Sequence, residues 1–312
     1  MAAFALSGLA FPEARAAGMV AGMRWIVLLL LLSGCAAGPD ASCRLEKLAE
    51  LPVRVMGNVP VVTVEINGKP ANLVLDTGSD ATVLTRVAAR RLGIAEGKAT
   101  QVGAAGGRTS VGTARLEDLL VGGVRIKPLP ALLADAPAPP LDGVLGISVL
   151  VEFEVELDVP HRRVALYRAR PCATAAPDWP GRVIRLPVQQ QPGSGHLFVS
   201  VAVDGQPLRG MLDSGASNST LSLQSAEDAG LGHGALERLP AYRGQAINAE
   251  GLVVRRAVFK EMRVGADRLE RPTLVIAALP VFAGDLLVGE DYLGTRAVWF
   301  SFVLGRVFVQ AP

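Results

Sequence analysis

The chain contains the same passage twice, and this duplication limits its fold more than any other feature. Residues 63–94 align with residues 200–231 at an offset of 137. Val64, Gly68, Pro70, Leu75, Asp76, Gly78, Leu84, Ala89 and Gly93 meet identical residues at Val201, Gly205, Pro207, Leu212, Asp213, Gly215, Leu221, Ala226 and Gly230. A second block aligns at an offset of 143, where Asp142, Gly146, Leu150, Arg163 and Val164 meet Asp285, Gly289, Leu293, Arg306 and Val307. The change in offset falls between the blocks, where a loop absorbs it. Two copies do not make a solenoid, so the chain reads as two similar fragments built against each other.

Each copy reads mostly as β. Residues 61–66 alternate and are rich in β-branched side chains, and Asn67-Gly68 follows as a two-residue hairpin signal, repeated by Asp204-Gly205. An apolar strand comes next (71–75 and 208–212) and runs straight into Asp76-Thr77-Gly78-Ser79 or Asp213-Ser214-Gly215-Ala216. One short helix fits each copy, Arg86–Leu92 closed by Gly93 and 223–229 before Gly230. Residues 119–126 form a strand pair turning at Gly122-Gly123, and the first copy ends in strands at 151–157 and 163–167.

Ahead of the repeat, residues 25–32 read Trp-Ile-Val-Leu-Leu-Leu-Leu-Leu behind Arg24, and Ser33-Gly34-Cys35 follows. This run is too short to cross a bilayer, which takes about 20 residues, and fits the apolar core of a signal peptide. Leu32-Ser33-Gly34-Cys35 resembles the bacterial lipobox, in which the cysteine is lipidated and becomes the mature N-terminus. The resemblance implies that 1–34 is a signal peptide (with Met23 a second candidate start) and that Cys35 carries the lipid at the head of a tether, 35–50. Several acyl chains anchor stably. The protein is then expected to be exported and held on a bacterial membrane facing the periplasm, with Ala36 favouring the outer membrane over the inner. The alternative is an ordinary signal with an incidental cysteine. With Cys35 lipidated, Cys43 and Cys172 are left to form one disulfide in an oxidising compartment, or to stay as two free thiols.

Composition removes several function classes. With 31 Lys+Arg against 29 Asp+Glu, the chain lacks the cationic surplus of a polybasic nucleic-acid binder. Half of it is hydrophobic, which excludes intrinsic disorder. His161, His196 and His233 are scattered and the cysteines form no CxxC, so neither a zinc-type metal site nor a cofactor is expected.

The two Asp-(Thr/Ser)-Gly turns carry the chemistry. An Asp directly after an apolar strand is costly to bury alone, so its placement implies compensation. If the copies pack about a pseudo-twofold axis, Asp76 and Asp213 meet there. Two carboxyls in contact share a proton, leaving one as general base and the other as general acid. Gly78 and Gly215 permit the tight turn, and the hydroxyls of Thr77 and Ser214 can bond across the axis.

These residues resemble the aspartic proteases of the pepsin and retropepsin type. Asp76-Thr77-Gly78-Ser79-Asp80-Ala81-Thr82-Val83-Leu84 is similar to the retroviral active-site segment. The family's second signature, two apolar residues and a glycine, matches Val144-Leu145-Gly146 and Leu287-Val288-Gly289. The resemblance implies an all-β fold of two pseudo-twofold-related, retropepsin-like lobes with one short helix each and a catalytic cleft between them. The expected lobes are 51–168 and 182–312, joined by a proline-bearing linker, 169–181. Asp76 and Asp213 would be catalytic, supported by Thr77, Gly78, Ser79, Ser214, Gly215 and Ala216. Gly103, Gly106 and Gly107 would belong to a flap over an extended peptide or protein substrate, with residues 243–250 in the same place in the second copy. One chain supplies both halves, so a monomer is implied, active as an endopeptidase.

Two departures from the family pattern matter. Ala216 stands where a hydroxyl residue is usual, whereas Ser79 can donate to its carboxylate, so Asp213 is expected to be the more readily protonated partner. The first flap has no tyrosine, and Tyr242 lies near the second. These departures leave room for a rival reading, a peptide-binding lipoprotein that kept the cleft without turnover. A glycosidase also uses two carboxyls, but they need not sit on duplicated turns, and no Gly-x-Ser-x-Gly elbow of a serine hydrolase is present.

Overall fold

The computed structural model describes residues 45–104, 107–135, 141–168, 176–190, 195–246, 249–280 and 283–311. The signal segment, Cys35, Cys43, Cys172 and Gly106 lie outside the described residues. The described residues form three sheets. Two are ten-stranded, one in each copy, and the third is six-stranded and shared by both.

The two ten-stranded sheets have one topology. In the first the strand order is Ala99–Ala104, Gly107–Leu116, Leu129–Ala134, Val83–Thr85, Gly143–Leu145, Lys69–Leu75, Val59–Ile66, Leu119–Val121 and Val124–Ile126, with Arg54–Met56 also paired to Val59–Ile66. The second repeats that order strand for strand, from Tyr242–Ala246 and Ala249–Val258 through to Glu261–Val264 and Asp267–Glu270. Local chemistry explains the framework. Asn67 and Gly68 take φ of 52° and 70°, and Asp204 and Gly205 take 49° and 87°. These are the left-handed pairs that a type I′ hairpin demands. Thr85 caps the helix Arg86–Leu92 by accepting from Ala88 N at 2.9 Å, and Gly93 closes it at φ 75°. Ser222 caps Leu223–Asp228 in the same manner.

The six-stranded sheet runs Lys47–Pro52, Arg163–Arg168, Phe153–Asp158, Ala297–Ser301, Arg306–Gln310, Val183–Leu186, three strands from each copy. At its centre Phe153–Asp158 and Ala297–Ser301 pair antiparallel, and Glu156 lies directly opposite Trp299. These two residues are 143 apart, the offset of the second repeat block, so the pseudo-twofold axis passes between them. Phe153, Val155 and Leu157 enter a hydrophobic core that runs continuously through both copies to Val298 and Phe300. Glu154, Glu156 and Asp158 alternate to the other face and are also buried. Their partners make this tolerable. Glu156 accepts from Arg163 Nη2 at 2.7 Å, Tyr167 OH at 2.7 Å and Trp179 Nε1 at 3.0 Å. Glu154 accepts from Trp299 Nε1 at 2.9 Å and Ser301 Oγ at 2.8 Å. Trp179, the aromatic residue of the expected linker, thus ties the described end of that segment, 176–181, to the sheet.

Three expectations need adjustment. Each half has a second short helix, Ile147–Leu150 and Glu290–Leu293, and the second half adds His233–Arg238. The strand expected at 151–157 therefore begins only at Phe153, because Val151 is the C-cap of the helix before it. The expected tether ends sooner than 50, because Lys47–Pro52 is an edge strand that buries Leu51.

Candidate active site

In each half the strand that precedes the aspartate lies parallel to a short strand that ends in the downstream glycine. Leu75 pairs with Leu145, and Leu212 with Val288. Asp76 N donates to Leu145 O at 3.1 Å and Asp213 N to Val288 O at 3.0 Å, which fixes where each loop leaves its sheet. The loops then fold back over Gly146 and Gly289. A Cβ on Gly146 would stand 2.7 Å from Ser79 O, and one on Gly289 would stand 2.7 Å from Ala216 O. Only a residue without a side chain lets helix and loop approach this closely.

The two loops face each other across the pseudo-twofold axis. Gly78 N donates to Asp76 Oδ1 at 2.8 Å, and Gly215 N to Asp213 Oδ1 at 2.9 Å. The glycines also pack crosswise. A Cβ on Gly78 would lie 2.7 Å from Asp213 Oδ2, and one on Gly215 would lie 2.7 Å from Asp76 Oδ1. Behind the carboxyls, Thr77 and Ser214 form a reciprocal lock. Thr77 N donates to Ser214 Oγ and Ser214 N to Thr77 Oγ1, both at 3.0 Å. Each hydroxyl passes its proton on to a carbonyl of the opposite strand, Thr77 Oγ1 to Leu212 O at 2.8 Å and Ser214 Oγ to Leu75 O at 2.7 Å. Both residues are fully buried.

Burial pushes both carboxyls above the usual aspartate range. For Asp76, the Gly78 N–H, a hydrogen bond with Asp213, the charge of His196 and the Ser79 N–H pull back down. For Asp213, burial is followed by the negative charge of Asp76, which drives it well above the usual range despite the N–H groups of Gly215 and Ala216. The two carboxyls therefore hold a proton between them, and Asp213 is raised further than Asp76. Asp76 is the more exposed of the two, and Asp213 is 9% exposed. The direction matches the expectation from sequence, but the reason differs. The Ser79 hydroxyl donates to Ala81 O at 2.9 Å and not to the Asp76 carboxyl. Residues 79 and 216 act alike, through their backbone N–H groups, and the inequality comes from the surroundings.

A family model described as aspartyl protease matches this chain twice, over residues 62–149 and 199–292. The chain belongs to the aspartyl protease family. Its retropepsin-like unit is present in duplicate within one chain. A comparison with curated proteins finds no match.

Other residues of this aspartyl protease unit were given no role from the sequence. Thr82 Oγ1 accepts from Gly146 N at 3.3 Å while Thr82 N donates to Ser148 Oγ at 3.0 Å. In the second half Ser219 Oγ accepts from Gly289 N at 3.1 Å, and both Ser219 N and Ser219 Oγ donate to Asp291 Oδ1. The repeat alignment places Thr82 against Ser219, a matched pair of hydroxyls that carries the signal. Asp142 and Asp285, identical in the repeat, are structural. Their carboxyls accept from Asn72 N and Arg209 N, each at 2.8 Å. His196, 3% exposed, sets Nε2 3.1 Å from Gly78 O and 3.5 Å from Asp80 Oδ1. No sequence pattern marks it.

The flap expectation falls on paired hairpins. Ala99–Ala104 and Gly107–Leu116 pair from Ala99↔Gly112 to Ala104↔Gly107, so Gly103 and Gly107 lie at the end of the hairpin nearest its tip. The corresponding hairpin is Tyr242–Ala246 with Ala249–Val258, and Tyr242 on it is 55% exposed. Both hairpins are terminal in their sheets.

Proposed function

We propose that the chain is an aspartic endopeptidase that hydrolyses peptide bonds with Asp76 and Asp213. The observation that carries this reading is the crosswise seating of Gly78 on the Asp213 carboxyl and of Gly215 on that of Asp76, which brings one protonated and one ionised carboxyl to a single point. The ionised Asp76 takes a proton from a water, whose oxygen attacks the scissile carbonyl carbon. Asp213 gives its proton to the carbonyl oxygen, producing a neutral gem-diol. Collapse then breaks the C–N bond. The proton held by Asp76 passes to the departing nitrogen, and a diol proton returns to Asp213. Thr77 and Ser214 keep both carboxyls in this geometry through the cycle, so no reorganisation is needed at the moment of reaction.

The substrate is an extended peptide or protein segment, held by backbone hydrogen bonds between the two hairpins. The chain acts as a monomer, since it brings both aspartates itself. Its N-terminal segment makes it a lipoprotein anchored through Cys35 and facing the periplasm, with the outer membrane favoured.

The test is cleavage of a diverse peptide library from pH 3 to 8 by the protein and by its Asp76→Asn and Asp213→Asn variants. Cleavage lost in both variants supports the reading. A folded protein that retains peptides without cutting them would make the cleft a binding site and put the rival reading in its place.

A further inference from the structure

The two aspartate loops differ four residues past their aspartates. The repeat sets Asp80 against Ser217, at the offset of 137 that also joins Asp76 to Asp213. A hairpin of the opposite half reaches over each of these residues. In the first half the strands Arg54–Met56 and Val59–Ile66 turn at Gly57-Asn58, and that turn meets the loop of Asp213. In the second half Val188–Gln190 and Leu197–Val203 pair in the same way, and His196, just ahead of the second strand, meets the loop of Asp76. Val61↔Val74 and Phe198↔Met211 hold the same place in their ladders, so His196 corresponds to Val59.

The contacts at the two places are opposite in kind. Ser217 is tied down, with its hydroxyl donating to Gly57 O at 2.7 Å and its carbonyl accepting from Asn58 Nδ2 at 2.6 Å. Asp80 stands open, its side chain 69% exposed. Its backbone carbonyl accepts from Ser148 N at 3.0 Å, which holds the residue while the carboxylate faces water. Among the described residues, His196 is the one basic side chain within 4 Å of that carboxylate, with Nε2 3.5 Å from Oδ1. Nε2 lies closer to Gly78 O, at 3.1 Å. A carbonyl oxygen only accepts, so Nε2 gives its proton to Gly78 O and leaves the Asp80 oxygens to another partner. The loop turns Thr77 and Thr82 inward, both buried, and leaves Asp76 half-buried and Asp80 exposed. Asp80 therefore shares the open side of the loop with Asp76.

We propose that Asp80 determines specificity: its carboxylate takes a cationic group of the peptide at one end of the cleft, and the other end has no counterpart. The inference rests on the reading of Asp76 and Asp213 as a peptide-cleaving pair. Two identical halves would offer the same group on both sides of the scissile bond. Here the sides differ by one carboxylate, so a lysine, an arginine or a free α-amino group is favoured on one side only. One loop carries both Asp76 and Asp80, pinned by the Thr77–Ser214 lock and by Ser148. The cation must therefore fall at a set position from the bond that is cut. Attraction between exposed charges is modest, so the gain is up to about fivefold in kcat/KM, and it shrinks in high salt.

The test uses the full-length protein and peptides that differ in charge at single positions, each with a free and with an acetylated amino terminus. Lysine at one position on one side of the bond is expected to raise kcat/KM up to about fivefold over glutamine there. A preference that acetylation removes assigns the cation to the α-amino group, and one that survives assigns it to a side chain; either supports the inference. Asp80→Asn should bring the ratio to about one, and Asp80→Lys should favour glutamate at the same position, an inversion that a structural role would not produce. Binding of the same peptides to Asp76→Asn, followed by fluorescence anisotropy, reads the selectivity without turnover. Cleavage with no charge preference, or with one that Asp80→Asn leaves intact, overturns the inference and leaves the peptidase reading standing. Charge-selective binding by a protein that cleaves nothing does the reverse. Neither cleavage nor binding overturns both.

Discussion

Thr77 and Ser214 each donate a backbone N–H to the other's hydroxyl, at 3.0 Å in both directions. A change at either residue therefore reaches both loops. Thr77→Val keeps the volume but leaves Ser214 N without an acceptor and Leu212 O without a donor. We expect a loss of about 2–6 kcal/mol of stability, since each of the two buried unsatisfied groups costs about 1–3 kcal/mol. Thr77→Ser keeps every hydrogen bond, removes only a methyl group, and should cost about 1 kcal/mol. Urea unfolding of the two variants measures the difference, and equal losses would refute the account.

Gly146 and Gly289 have negative φ, so any residue type suits their backbone, and what they lack is room. Gly289→Ala would set a methyl 2.7 Å from Ala216 O and 2.8 Å from Asn218 O, both backbone atoms that cannot swing aside. The Asp213 loop must shift. The expected outcome is a destabilisation of about 1–3 kcal/mol, together with a fall in kcat well beyond what lost folding explains. A crystal structure of the variant with an unmoved loop would contradict this.

Glu290 makes stability depend on pH. In the unfolded chain its carboxyl loses its proton near 4.5, but in the folded protein only near 8. Between these values the folded state holds the extra proton, so the part of the stability set by this group is greatest below pH 4.5 and falls as the pH rises toward 8. The contribution of this one group amounts to about 5 kcal/mol at most. Replacing it by the residue of the first half, Glu290→Ile, should raise the urea midpoint at pH 8 more than at pH 5. A gain that is the same at both pH values would contradict it.

His196 stands on the Asp76 side of the site, and its positive charge favours the ionised form of that carboxyl. Glu290 stands on the Asp213 side, where burial and the charges of Asp213 and Asp291 hold its own carboxyl up to about 8. His196→Gln keeps a donor toward Gly78 O but removes the charge, so the Asp76 carboxyl should titrate higher. The acid limb of peptide cleavage is then expected to move to higher pH, while the maximal rate changes little. A limb that stays in place, or moves down, rules out this role for His196.

Much of the framework was legible because its signals are local. Asn67-Gly68 and Asp204-Gly205 turn as hairpins since their residue types tolerate positive φ, and Gly93 ends a helix for the same reason. The repeat itself pointed to Asp76 and Asp213. The six-stranded sheet was not legible. Its central register joins Glu156 to Trp299 across 143 residues, and nothing local encodes such a pairing. The helices Ile147–Leu150 and Glu290–Leu293 are single turns, too short for a 3.6-residue pattern to emerge. Side-chain direction was hidden as well. Ser79 sits beside Asp76 in sequence, yet its hydroxyl turns to Ala81 O. His196 reaches Gly78 from a residue 118 positions away.

The central ladder of the shared sheet has a consequence for ancestry. In a symmetric pair of identical units, the residue on the twofold axis faces its own copy. Two first halves would set Glu156 against Glu156 and Glu154 against Asp158, like charges directly opposed, which is unfavourable in a sheet. In this chain the facing strand instead brings Trp299 and Ser301, whose donors satisfy Glu154. The two copies have therefore ceased to be interchangeable subunits. Cut apart, they should seek each other rather than themselves, as an obligate heterodimer whose selectivity is written in one pair of strands.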